Sequence, residues 1–126
     1  MLILRATLGA ETERRASRHC DLCGYTSIKG KRVLAKLQRV AQKRAAVGEV
    51  RGLGLMIGVE LVSDRDAKSP DAAAAERAQD RMLEQGFLIG VGGAYGNVLR
   101  IQPPLVTPDE DLDRAVEALD DAFQLA

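Results

Sequence analysis

The sequence predicts an α+β fold in which a small, three-stranded, mainly antiparallel sheet is covered by helices. Three observations carry that reading. Leu53, Leu55, Ile57, Val59 and Leu61 alternate without a break with Gly52, Gly54, Met56, Gly58 and Glu60, the period of a half-buried strand. FLIGV (87–91) and NVLRIQ (97–102) are short aliphatic runs parted by GGAYG, which reads as two further strands around a flexible turn. Before and after these runs, apolar residues recur every three or four positions, as on a helix with one buried face. At 126 residues and 46% hydrophobic content, the chain has room for one ordinary domain.

Taken in order, residues 1–28 show no clean period. Leu2, Ile3, Leu4 and Leu8 are apolar, ETERRASRHCDLC is polar and mixed, and the segment reads as an unassigned tail ahead of a domain over 29–126. From Lys29 onward, Val33, Leu37, Val40, Ala41 and Arg44 mark one helical face, with Gly48 as the expected stop. EVRGLGLMIGVELV then reads as a single strand with one aliphatic and one nearly bare face. Glycine inside a strand weakens it unless another backbone or a ligand must come close, so something is expected to pack against the bare side. After the polar loop SDRDAKSP, Ser69 and Pro70 are expected as N-cap and first residue of a second helix, which buries Ala75, Ala78 and Met82 and ends at Gly86. The last helix has the fullest signature. Thr107, Pro108 and Glu110 spell a T-x-x-E capping box, Asp109, Glu110 and Asp111 suit the positive end of the helix dipole, and Leu112, Ala115, Val116, Leu119 and Phe123 form its apolar stripe.

Net charge is zero, so no global field favours nucleic acid or membrane, but the charge is unevenly placed. Residues 1–50 carry 11 Lys/Arg against 4 Asp/Glu, and residues 51–126 carry 7 against 14. The basic residues follow a helical pattern with no aromatics among them. That suits a solvated helix face, or contact with an acidic surface, better than an RNA-binding arm. No stretch approaches the length of a membrane span, and MLILRATLGA lacks the long apolar region of a signal peptide. Two cysteines make no disulfide framework, and a reducing cytoplasm is the expected compartment.

Candidates for chemistry are few. His19, Cys20 and Cys23 are too few ligands for a structural zinc site, and no convincing strand precedes the CxxC as a redox motif requires; no metal is expected. GVGGAYG (90–96) fails the dinucleotide fingerprint in spacing and in context, since a strand follows it instead of a helix. No serine–histidine–acid set can be assembled, and the C-terminal carboxylates are explained by capping and solvation. Arg100 remains. Along its strand Leu99 and Ile101 face one way, while Val98, Arg100 and Gln102 face the other. A guanidinium there either captures a carboxylate through its planar fork, pairs with Glu60 across the sheet, or sits exposed.

VGEVRGLGLMIGVELV (47–62), then a helix, then GFLIGVGGAYGNVLRIQPPLVTPDEDLDRAVEALDDAF (86–123), closely resembles the C-terminal small domain of class III aminotransferases, pyridoxal-phosphate enzymes of fold type I. The likeness covers roughly residues 30–126, and LIGVGGAYGNVLRIQPPL is most similar to the alanine–glyoxylate and aminobutyrate-like branch. The resemblance implies that Arg100, in the LRxxPPL position, salt-bridges a carboxylate of an amino-acid or 2-oxo-acid substrate. It implies pyridoxal 5'-phosphate as the cofactor of the whole enzyme. The Schiff-base lysine, the aspartate on the pyridine nitrogen and the phosphate cup belong to a large domain whose motifs are absent here, and none of Lys29, Lys31, Lys36, Lys43 and Lys68 maps onto the Schiff-base position. A small domain parted from its catalytic half, unable to transaminate alone, is the expectation; a stand-alone carboxylate-binding or interaction module and a non-functional remnant are the alternatives. The sheet face that would meet a large domain is expected to be apolar and to drive self-association, as in a dimer.

Overall fold

The computed structural model describes residues 22–124. Its elements in chain order are α1 (Leu22–Lys43), β1 (Val47–Leu53), β2 (Met56–Asp64), β3 (Ser69–Pro70), α2 (Ala72–Glu84), β4 (Gly90–Gly92), β5 (Val98–Ile101) and α3 (Asp109–Gln124). The α+β class stands, but the sheet has five strands, not three: β1-β2-β5-β4 in order, with β3 on β2, and every pairing antiparallel.

Two strands were hidden for physical reasons. The run read as one strand is a hairpin, because Gly54 turns at φ 57° in a two-residue connection and sends β2 back along β1. Leu53 and Met56 become register partners on the outer face, with Leu53 89% exposed, while Ile57 and Val59 face the core. The alternation survives the turn, and periodicity alone could not reveal it. At the other site Ser69–Pro70 forms β3 instead of opening a helix. Asp71 is the N-cap of α2, its carboxylate accepting from the Ala74 N–H at 2.8 Å.

The expected capping box of α3 does not form either. The helix opens on the Pro108 carbonyl, which accepts from the Leu112 N–H. Thr107 is fully buried and its Oγ1 has no partner, while its carbonyl accepts from the Lys29 ammonium. Lys29, itself buried, also lies 3.6 Å from Asp109 Oδ1 and 4.2 Å above the Tyr25 ring, so it joins α1 to the start of α3.

The core lies between one sheet face and the helices. Ile57, Val59, Leu61, Leu99 and Ile101 from the sheet meet Val33 and Leu37 of α1, Ala75, Ala78 and Met82 of α2, and Leu112, Leu119 and Phe123 of α3. Gly30 brings α1 onto the hairpin: a β-carbon there would lie 2.0 Å from the Gly54 carbonyl oxygen. The charge asymmetry is resolved inside the domain. Arg32 Nη1 reaches both oxygens of Asp113 at 2.7 and 2.9 Å, Lys36 reaches Asp113 at 2.7 Å, and Arg44 reaches Asp120 at 2.7 Å. The basic face of α1 thus meets the acidic face of α3, and the Lys36 and Arg32 hydrogen bonds hold the Asp113 carboxyl below its ordinary range.

Candidate functional site

The helices cover one face of the sheet; the other is open among the described residues. Its central row crosses all four main strands: Arg51 of β1 is the register partner of Gly58 of β2, Gly58 of Arg100 of β5, and Arg100 of Gly90 of β4. The face predicted for Arg100 is the one it occupies. Leu99 and Ile101, its chain neighbours, are buried in the core, and Arg100 is exposed.

Arg100 does not pair with Glu60. That carboxylate accepts from Arg51 Nη1 at 3.1 Å and from Asn97 Nδ2 at 3.4 Å. Arg51 also reaches Glu49 at 2.8 Å, and its pKa is raised, chiefly by the hydrogen bond to Glu60. Among the described residues Arg100 has neither an ion pair nor a side-chain hydrogen bond. Its cross-strand neighbours on both sides are glycines, so the nearest other side chain in its row is that of Arg51, beyond Gly58. An exposed guanidinium keeps its hydration until a ligand replaces it, and its planar fork matches a carboxylate in two parallel bonds.

Sequence reasoning missed two supports of this site. Asn97 is buried at the foot of β5, where Nδ2 donates to the Leu61 carbonyl at 2.8 Å and its own carbonyl accepts from the Leu61 N–H at 2.7 Å, fixing the β2–β5 register. The second is Gly92, expected in the GGAYG turn, which instead ends the strand Gly90–Gly92 beside Arg100, while Gly93 and Gly96, at φ 86° and 66°, turn the chain. The first could have been suspected from an asparagine at a strand entry. The second was hidden because Gly92 opens a glycine-rich stretch that reads as a turn.

The open face is less apolar than expected. Leu53 and Met56 are exposed at the hairpin tip, but Glu49, Arg51, Glu60 and Arg100 carry charge across the middle. A concavity of about 280 Å³ lies near one edge, lined by Gly48, Glu49, Glu60, Val62 and Lys68. His19 and Cys20 lie outside the described residues, as does the side chain of Cys23, and the CxxC with them. Among the described residues no His/Cys/Asp/Glu group could hold a metal ion.

The sequence profile described as aminotransferase class-III matches residues 5–123. The chain belongs to the class III aminotransferase family. It is 52% identical over 85 residues to alanine–glyoxylate aminotransferase 2 homolog 2, mitochondrial, of Arabidopsis thaliana, a stretch covering 68% of this chain and 18% of that protein. Among solved structures it superposes on a phospholyase from Arthrobacter in complex with phosphoethanolamine with a TM-score of 0.82 and 30% identity, over 90% of this chain and 26% of that one. It also superposes on an amine transaminase from an uncultivated Pseudomonas species in the PLP-bound internal aldimine form, with a TM-score of 0.74 and 35% identity, over 83% of this chain and 24% of that one. This class III aminotransferase chain therefore spans about a fifth to a quarter of the length of the proteins it matches.

The family is pyridoxal-phosphate dependent, and the side chains described here do not fit that cofactor. The Lys29 ammonium is bound by the Thr107 carbonyl and Asp109, and Lys36 by Asp113. Lys31 and Lys43 lie exposed on α1, and Lys68 shares its concavity with Glu49 and Glu60, which would repel a phosphate. Among the described residues no helix is long and apolar enough to cross a membrane.

Proposed function

We propose that this chain is the substrate-carboxylate-binding part of a class III aminotransferase, with Arg100 as the residue that receives the carboxylate of an amino acid or 2-oxo acid. The observation that carries this reading is the contrast within one row of the sheet: Arg51 is answered by two glutamates, whereas Arg100 meets only glycines. Family membership supports it, and so does the relative whose name joins alanine to glyoxylate, each of which presents a carboxylate beside the reacting carbon.

The whole enzyme transfers an amino group to a 2-oxo acid, and pyridoxal 5'-phosphate supplies the electron sink for that transfer. This chain orients one end of the substrate. The cofactor lysine and phosphate cup come from the large domain, so the chain alone does not transaminate. The domain over 29–126 carries this role, in a reducing cytoplasm. Self-association as a dimer proceeds through the exposed Leu53–Met56 hairpin tip, and a monomer by light scattering at high concentration contradicts that part.

The test uses the full chain in two arms. Mixed with pyridoxal 5'-phosphate, it gives no stoichiometric aldimine absorbance band. Titrated with 2-oxoglutarate or pyruvate, it binds weakly, and Arg100→Ala removes that binding. An aldimine band at full occupancy would overturn the assignment of the cofactor lysine to the large domain, and unchanged binding in Arg100→Ala would overturn the role of Arg100.

A further inference from the structure

The side chain of Arg100 has a direction, and it passes close over a glycine. Gly90 is its register partner on β4 and Gly92 is opposite Val98, so Gly92 is the diagonal neighbour of Arg100. A β-carbon on Gly92 would lie 3.2 Å from Nε, 3.4 Å from Cζ and 3.6 Å from Cδ of Arg100, and these are its three nearest atoms. Side chains on a strand usually stand roughly perpendicular to the sheet. Three consecutive atoms at contact distance from one point mean that the far end of Arg100 instead lies down over the backbone of β4.

Nothing else requires glycine at this position. Gly54, Gly86, Gly93 and Gly96 have positive φ, and Gly92 does not, so its backbone accepts an L side chain. In a strand a glycine is a cost unless something must come close to it. Here that something is the guanidinium.

We infer that Gly92 is a positioning residue for Arg100: the missing β-carbon lets the guanidinium lie along β4, where its fork meets a carboxylate arriving across the bare strip of Gly58 and Gly90. This rests on the carboxylate reading of Arg100. An added methyl at 3.2 Å is tighter than ordinary contact, so one side must yield. The exposed, flexible end of Arg100 yields before the paired backbone does. Gly92→Ala therefore redirects the guanidinium and leaves the fold intact. Two-point capture of a carboxylate depends on that direction.

The test is ¹H–¹⁵N spectroscopy of the full chain, following the Arg100 Nε–Hε resonance, which is assigned by its loss in Arg100→Lys. Gly92→Ala is expected to shift this resonance without ligand, to unfold at an unchanged temperature, and to weaken 2-oxoglutarate binding by about tenfold or more, as loss of one of two charge-assisted hydrogen bonds would. Gly92→Val moves both readouts further. Gly24→Ala, where an added β-carbon meets nothing within 4 Å, moves neither. An unmoved Arg100 resonance in Gly92→Ala and Gly92→Val overturns the inference whatever the titration gives. A moved resonance in a protein whose wild type ignores 2-oxoglutarate upholds Gly92 as the residue that sets the direction of Arg100 and overturns the carboxylate reading instead.

Discussion

Arg51 and Arg100 lie in the same row on the same open face, separated by Gly58. Arg51 is held by Glu49 at 2.8 Å and Glu60 at 3.1 Å, whereas Arg100 has no acid of its own among the described residues and rests against Gly92. Other cations, such as Lys31 and Arg39, also lack partners among the described residues, but they lie exposed on a helix, where water suffices. Arg100 differs in standing on a strand with bare neighbours on either side. Arg51 is answered by the fold, and Arg100 is given room, which is what the proposed carboxylate role requires.

That contrast can be broken by stability measurements at neighbouring positions. The largest effect is expected one residue away on the packed face. Leu99→Ala leaves a cavity beneath the sheet and should cost about 2–5 kcal/mol in urea unfolding. Asp113→Ala, which strips Arg32 and Lys36 of their shared acid, should cost about 1 kcal/mol or less, because all three side chains are partly exposed. Arg100→Ala should stay within about 0.5 kcal/mol of wild type, the range of a surface substitution with no partner to lose. A loss comparable to that of Leu99→Ala would mean that Arg100 serves the fold after all.

Two further outcomes sharpen the comparison. Because folding lowers the Asp113 pKa below its usual 3.8, its contribution is complete above that value and is lost as pH falls through the folded pKa. The stability difference between wild type and Asp113→Asn should therefore be flat from neutral pH down to about 4 and vanish only below it. Glu60→Gln removes one of the two acids on Arg51. It should not create a second carboxylate site, because Glu49 still holds Arg51. Two-site binding of 2-oxoglutarate in that variant would show that any guanidinium on this face suffices.

Much of this was legible in the residues. The face of Arg100 followed from strand parity, the buried stripe of α3 from helical spacing, and the buried side of α2 from Ala75, Ala78 and Met82. What was lost had local causes. The Gly54 turn preserves alternation, so a hairpin imitates one strand. Ser69–Pro70 has the chemistry of a helix start, but the Asp71 carboxylate takes that place two residues later. The capping box failed because the Thr107 N–H that Glu110 would take is already donated to the Pro104 carbonyl at 3.0 Å, and its hydroxyl is buried without a partner. The separation of charge between the two halves was visible, but its resolution as an α1–α3 seam depended on tertiary contact. Whether Arg100 is answered could not be read from one strand, since it depends on Glu60 being already engaged by Arg51.

The central claim is tested most directly in a whole enzyme. Residues 29–126 replace the matching segment of the Arabidopsis alanine–glyoxylate aminotransferase homolog, and kcat/KM is measured for glyoxylate and for a small aldehyde that lacks the carboxylate. Arg100→Ala should lower kcat/KM for glyoxylate about 100-fold, as loss of a two-point charge-assisted contact would, and leave the aldehyde unchanged. An equal loss with both acceptors, or none with either, would contradict a role for Arg100 in holding the substrate carboxylate.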